Sequence, residues 1–326
     1  AGTGSGSGEG RVDMRLRFWR LVGCTAGIMI SLIVYSILQE RMMSQPYDNG
    51  KTHVMFQNSV FLVFSNRMFA VLVCLAILSF HSKKELKPVA PVYEYFMISL
   101  GNVIATSCQY EALKWVTFPT QTLLKCLKMV AVMIVGSCIA GKKYHPMEYV
   151  CGFLVAAGCT VFLTTGGITA SHAPVEDSWF GLVLMGFYLG FDSFTSTFQE
   201  VLFVGYDMSV YNQMLYVNLT SVFIAGFLLV LNGQMVQSLE FASKFPQFWV
   251  DLTVLSLSAV ASQFCITYTI KEFGALVYAT IMTVRQFISV LLSNIVFNHS
   301  MSFFQWVGSS IVFTALMMQK LAKSSR

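Results

Sequence analysis

The chain has 326 residues, with 21 Lys plus Arg and 16 Asp plus Glu, so 11% are charged and 55% are hydrophobic. Average globular chains carry about 25% charged residues, and the mean hydropathy here is +0.64. These values exclude a disordered chain and argue against a water-soluble domain, because one core could not hide so much apolar surface. The reading is an all-α, polytopic membrane protein in which the few charges are the informative residues.

Residues 1–13 open with the Gly/Ser-rich run AGTGSGSGEG and read as an expression linker, with Met14 a plausible native start. Beyond it, ten segments are long and apolar enough to cross a hydrocarbon core that needs about 20 residues. They run Phe18–Leu38, Val54–Phe80, Val92–Leu113, Phe118–Ala140, Met147–Thr165, Trp179–Phe203, Ser209–Leu231, Phe248–Ile270, Phe273–Phe297 and Phe303–Leu321. Gln45-Pro46, Lys87-Pro88, His145-Pro146 and Asn232-Gly233 punctuate the connections between them.

An even span count puts both termini on one side. That side carries Arg11, Arg15, Arg17, Arg20, Lys83, Lys84, Lys87, Lys142, Lys143, Lys271, Lys320, Lys323 and Arg326. The other carries Arg41, Lys51, Lys114 and Lys244. The excess of cations makes the terminal side cytosolic. Four cations remain inside predicted spans: Arg67, Lys125, Lys128 and Arg285. Each costs about 2.5–3.5 kcal/mol on insertion scales, so each needs a carboxylate partner or an anionic ligand. The acids near or in spans that could serve are Glu40, Glu111, Asp192 and Glu200.

The five histidines share no ligand spacing, and the eight cysteines all fall in spans, which is packing use. No metal and no cofactor are expected. Gly136-Ser-Cys-Ile-Ala-Gly141-Lys142-Lys143 nearly matches a phosphate loop, but it lacks the final Ser/Thr and closes a helix where the motif must open one. Sequons stand at Asn218-Leu-Thr220, inside a span, and at Asn298-His-Ser300, in a very short loop. Gly23-xxx-Gly27 and Gly186-xxx-Gly190 read as close helix-packing motifs. No nucleophile–base pair stands out, so no enzyme activity is expected. A non-transporting receptor or a membrane enzyme is the rival outside transport.

Lys125 and Lys128 are three residues apart and share a helix face, which Gln121 continues. Tyr278 and Met282 line the face of Arg285, with Thr283 and Gln286 beside it. Ten spans divide into two halves, residues 14–172 and 173–326, and five spans per half make the repeats inverted. Laying spans four and five on nine and ten brings Lys128 to Arg285 and Gly152 to Gly308, at nearly equal offsets. Inverted-repeat transporters hold substrate at the repeat interface near the midplane. A polyanion is the ligand such cations would take. Tyr110, Tyr188, Tyr268 and Tyr278 lie in spans beside polar residues, where one could stack on a nucleobase.

The run Gln109-Tyr110-Glu111-Ala112-Leu113-Lys114, then Phe118-Pro119-Thr120-Gln121 with Lys125 and Lys128, resembles the nucleotide-sugar transporters. Further matching runs are Leu38-Gln39-Glu40-Arg41, Gly190-Phe191-Asp192-Ser193-Phe194-Thr195-Ser196, Phe273-Gly274-Ala275 and Ile281-Met282-Thr283-Val284-Arg285-Gln286. The likeness covers nearly the whole chain. It is narrower for the branch with endoplasmic-reticulum UDP-sugar/ATP carriers and Golgi carriers of 3′-phosphoadenosine 5′-phosphosulfate (PAPS).

The resemblance implies a ten-helix drug/metabolite-transporter fold in the Golgi or endoplasmic-reticulum membrane. It implies exchange of a cytosolic nucleotide conjugate for a lumenal nucleotide, with the phosphates on Lys125, Lys128 and Arg285. Both the Asp-Ser-Phe-Thr-Ser and Phe-Pro-Thr-Gln runs look closest to PAPS carriers, although UDP-galactose carriers share much of both. PAPS carries about four negative charges and a UDP-sugar about two, since a phosphate monoester bears ~1.5–2. Four intramembrane cations, Arg67 included, fit the larger load. The substrate would be lined by Gln109, Tyr110, Gln121, Asp192, Ser193, Gln263, Tyr268, Tyr278, Thr283 and Gln286, with the base among the tyrosines and the Gln, Asn and Thr side chains. The partners expected are thus a nucleotide, its counter-substrate and the bilayer, without nucleic acid.

Overall fold

The computed structural model describes residues 6–48, 53–56, 58–81, 86–112, 115–116, 118–165, 178–296 and 303–324. The described chain is almost entirely helical: α1 Gly6–Ser44, α2 Ser59–His81, α3 Val92–Ala112, α4 Phe118–Cys126, α5 Lys128–Ile139, α6 Pro146–Thr165, α7 Trp179–Tyr206, α8 Val210–Leu231, α9 Gln234–Lys244, α10 Pro246–Phe273, α11 Ala275–Val296 and α12 Phe303–Ser324. A small hairpin, β1 Tyr47–Asp48 antiparallel to β2 His53–Val54, joins α1 to α2.

Helices occupy each of the ten predicted apolar segments; Val54, the expected start of the second, lies in β2, with α2 beginning at Ser59, and four further differences stand out. First, α1 reaches back into the segment read as a linker. Second, the fourth segment is two helices, because the chain tightens at Leu127, whose N–H donates to Leu124 O at 3.0 Å. Third, α9 fills the connection after Asn232-Gly233, where Gly233 takes a left-handed φ of 64°. Fourth, Phe273 ends α10 and does not begin the next helix, because Gly274 breaks the chain with φ 87°.

Among the described residues, four helical stretches are long and apolar enough to cross a membrane: Arg15–Met43, Ser59–Phe80, Val210–Leu231 and Pro246–Phe273. Lys128–Ile139, Pro146–Phe162, Ala275–Ile288 and Phe303–Ala315 are shorter apolar helices. Large apolar side chains point outward, Phe80, Trp179, Phe223 and Phe303 among them, as they do on a surface facing lipid. The chain is a multi-pass membrane protein.

Two compact units interleave along the chain. Unit 1 is residues 1–100 and 202–273, and unit 2 is residues 101–201 and 274–326. These divisions fall inside α3, inside α7 and between α10 and α11, and none coincides with the expected boundary at residue 172.

In unit 1, α1 packs on α10, and α2 packs on α8 and α10. One end is closed by Met42, Tyr47, Phe56, Phe61, Phe248 and Leu252, all buried. The Tyr47 hydroxyl donates to Asp251 Oδ2 at 2.9 Å. Burial first, then that carboxylate, hold the phenol well above its ordinary pKa, so it stays a donor. Ser209 caps α8 by accepting from the Asn212 N–H at 3.1 Å.

In unit 2, α6 packs on α12 and α5 on α11. A Cβ at Gly308 would stand 2.7 Å from Gly158 O, so this pair lets the α6 and α12 backbones meet. The expected packing motif at Gly186 and Gly190 is not used that way, since neither has any atom within 4 Å of an added Cβ, and neither has Gly23; Gly27 does abut Cys265. The near phosphate loop is a glycine-capped helix end: Gly141 has φ 59°, and Gly136 O accepts from the Ala140 and Lys142 N–H groups.

Candidate functional site

Unit 2 brings together three of the four intramembrane cations. Lys128, the first residue of α5, is 6% exposed, and its Nζ lies 2.6 Å from Asp192 Oδ2 on α7. The same ammonium sits 4.5 Å from the Tyr278 ring centroid and 3.5 Å from its hydroxyl. Aromatic faces attract cations at that range. Lys125, in the last turn of α4, lies within electrostatic reach of Arg285 and Asp192. Tyr188 and Tyr278 both lie within reach of Arg285, and Tyr188 also within reach of Lys128 and Asp192.

Local sequence explains the placement. Tyr188 and Asp192 are four apart on α7, and Tyr278 and Arg285 are seven apart on α11, so each pair shares a face. The break at Leu127 changes what the lysine spacing means. A continuous helix would put Lys125 and Lys128 side by side, whereas here they close one helix and open the next.

Several polar atoms of unit 2 are buried without a hydrogen-bond partner among the described residues: Gln121 Nε2, Ser193 Oγ, Thr197 Oγ1 and Arg285 Nε. Leaving such a group unpaired costs about 1–3 kcal/mol. Thr283 is buried and spends its hydroxyl on Ala279 O at 3.0 Å. Gln109 and Gln286 are half-buried in the same unit, and Tyr110 is exposed.

Arg67, Gln263 and Tyr268 belong to unit 1. Arg67 Nη1 donates to Asn218 Oδ1 at 3.1 Å and to Gln263 Oε1 at 3.2 Å. Its partners are therefore neutral amides, and no carboxylate pairs with it among the described residues. Tyr268 stacks on Phe264 with ring centroids 6.1 Å apart. It does not line the cavity beside Arg67.

Of the predicted site residues, Lys125, Lys128, Arg285, Asp192 and Tyr278 come together. The sequence offers Asp192 as one acid among four, and the structure makes it the specific partner of Lys128. Asn218 enters as a ligand of Arg67 that the sequence reading passed over as a sequon. Tyr188, one of the span tyrosines expected to stack on a base, is four residues from Asp192, but the amides on Arg67 lie too far along the chain for any spacing rule.

The model of the UAA transporter family matches residues 20–323. Adenosine 3′-phospho 5′-phosphosulfate transporter 1 of Dictyostelium discoideum is 46% identical over 306 residues, covering 94% of this chain and 84% of that protein. UDP-galactose/UDP-glucose transporter 5 of Arabidopsis thaliana is 44% identical, covering 95% and 90%. The human adenosine 3′-phospho 5′-phosphosulfate transporter 1 is 36% identical, covering 93% and 70%. A solved crystal structure superposes with a TM-score of 0.63 at 12% identity, covering 92% of this chain and 97% of the other, a likeness of fold alone. A family model that spans nearly the whole chain, together with relatives this similar over most of their lengths, places the chain in the UAA transporter family of nucleotide-sugar transporters.

Proposed function

We propose that the chain is an antiporter that carries PAPS from the cytosol to the Golgi lumen in exchange for adenosine 3′,5′-bisphosphate. It works by alternating access through ten membrane-crossing helices, arranged as two inverted five-helix repeats over residues 14–172 and 173–326, with both termini cytosolic. The observation that carries the reading is the gathering of Lys125, Lys128 and Arg285 around Tyr188 and Tyr278 in unit 2. The relatives named as PAPS transporters support the cargo.

The phosphates bind Lys125 and Arg285, whose charges repel one another until an anion lies between them. Lys128 shares its charge between Asp192 and the ligand. The buried donors on Gln121 and Arg285 and the hydroxyls of Ser193 and Thr197 gain partners at the same time. The base stacks on Tyr188 or Tyr110. Exchange down the two nucleotide gradients drives transport without ATP hydrolysis.

A second reading is a UDP-sugar carrier of the Golgi or endoplasmic reticulum. One observation favours it: Asp192 cancels one of the three cations, which leaves the cluster with the charge of about two that a UDP-sugar balances. The Arabidopsis relative points the same way.

Counterflow decides between them. Liposomes containing the protein are preloaded with adenosine 3′,5′-bisphosphate and offered labelled PAPS, UDP-galactose, UDP-glucose or ATP. Preferred uptake of PAPS supports the first reading, preferred uptake of a UDP-sugar or of ATP replaces it, and no counterflow of any nucleotide removes both.

A further inference from the structure

The fourth intramembrane cation has a setting of its own. Arg67 lies on α2 beside a cavity of about 210 Å³. Tyr35, Asn66, Ser262 and Gln263 supply the polar part of its wall. One Arg67 partner and one wall residue are held in turn. Asn218 is fully buried and donates to Met214 O at 2.7 Å. Asn66, on the same wall, accepts from the Ser256 hydroxyl at 2.9 Å and donates to the Tyr35 hydroxyl at 3.3 Å.

Both hydrogen bonds of the guanidinium use Nη1, so Nε and Nη2 have no partner among the described residues. Two amide oxygens orient the group but cancel none of its charge. A planar fork with two adjacent free N–H groups fits two oxygens of a tetrahedral oxyanion. The cavity is several times the ~30 Å³ that one water occupies in the liquid, which is room for such a group and part of its hydration.

We infer that the Arg67 cavity is an oxyanion subsite of unit 1, built to hold one phosphate monoester or sulfate group on the free edge of the guanidinium. It shares no residue with the Lys125–Lys128–Arg285 cluster. The inference deepens the polyanion reading above by naming a second group that the protein recognises, and its test does not depend on transport.

The probes are inorganic sulfate and inorganic phosphate, added separately to the purified full chain in detergent, with chloride at matched ionic strength as control. The readout is the melting temperature, which rises saturably when an ion binds the folded state. A saturable rise with either ion is expected, and the more effective ion names the preferred group. The rise should persist in the Lys125→Gln/Arg285→Gln double variant. When Arg67→Gln is added to that double variant, it should weaken at least tenfold in apparent affinity.

Because Arg67→Gln also removes two hydrogen bonds, Gln263→Glu is the second variant. It sets a carboxylate against the guanidinium, cancels the charge and keeps the packing, and in the Lys125→Gln/Arg285→Gln background it should abolish the response. A response unchanged in Gln263→Glu, a response lost only with Lys125 and Arg285, or no saturable response to either ion overturns the subsite. Failure of PAPS counterflow alone would leave it standing.

Discussion

Asp192 and Glu200 stand eight residues apart on α7, and each carboxylate receives a lysine from one end of α5. Lys128 opens α5 and pairs with Asp192 at 2.6 Å, while Lys142, just past its end, pairs with Glu200. Eight residues are about 12 Å along a helix, so α5 and α7 are fastened at two levels. Helix α11 joins both: Tyr278 accepts from Lys128, and the Ala275 N–H donates to Glu200 Oε2 at 3.0 Å. The inner pair lies in the cation cluster and the outer pair caps a helix N-terminus, so the two should respond differently to substitution.

For the inner pair, Asp192→Asn should destabilise the protein by about 3–5 kcal/mol, the cost of leaving one buried charge unpaired. Lys128→Met should do the same to Asp192. The Lys128→Met/Asp192→Leu double variant should recover most of the melting temperature, because apolar pairs of similar size replace buried ion pairs without great loss. It should not recover counterflow. A double variant that transports like the wild type would show that the pair is structural only.

The outer pair separates charge from capping. Lys142 is 31% and Glu200 17% exposed, so solvent screens the ion pair and its worth is about 1 kcal/mol or less. Glu200→Gln should therefore cost little and lower the salt dependence of the melting temperature. Glu200→Ala also strips the Ala275 N–H of its acceptor, which adds about 1 kcal/mol, the usual worth of an N-terminal cap. Equal losses in the two variants would assign the whole effect to charge.

Glycines give a third contrast. Gly308→Ala drives a methyl against Gly158 O and the Phe162 backbone at 2.7–2.8 Å. Backbone atoms cannot turn aside, so α6 and α12 must separate, at a cost of about 1–3 kcal/mol. Gly186→Ala and Gly190→Ala meet nothing within 4 Å and should raise helix stability by up to ~1 kcal/mol. Thermal unfolding of the three variants in one detergent checks the opposite signs.

Hydropathy located the helices because a membrane-crossing segment must be apolar along its length. It passed over α9, since an 11-residue helix with Gln234, Gln237, Glu240 and Lys244 reads as a polar loop. It also joined α4 to α5, since no Pro or Gly marks the break at Leu127. The cations were legible from their cost in lipid. Their partners were not: Asp192 meets Lys128, and Asn218 and Gln263 meet Arg67, through tertiary packing that no local period encodes. The charge count changed most, because a Lys128 on a carboxylate and an Arg67 on two neutral amides are equivalent in a sequence.

Asn218 links that last point to a test that needs no transport assay. Asn218-Leu-Thr220 matches the glycosylation sequon, yet Asn218 is fully buried in α8, and both ends of its amide are engaged, with Arg67 and with Met214 O. A glycan needs the amide nitrogen free at a surface. In an Asn298→Gln background, which removes the other sequon, treatment with an N-glycosidase should leave the electrophoretic mobility unchanged. Asn218→Ala in the same background should leave mobility unchanged and lower the melting temperature by the equivalent of about 1–3 kcal/mol, because Arg67 loses an acceptor that orients a buried charge. A mobility shift that disappears with Asn218→Ala would mean that the side chain is accessible during synthesis and that Arg67 is held otherwise.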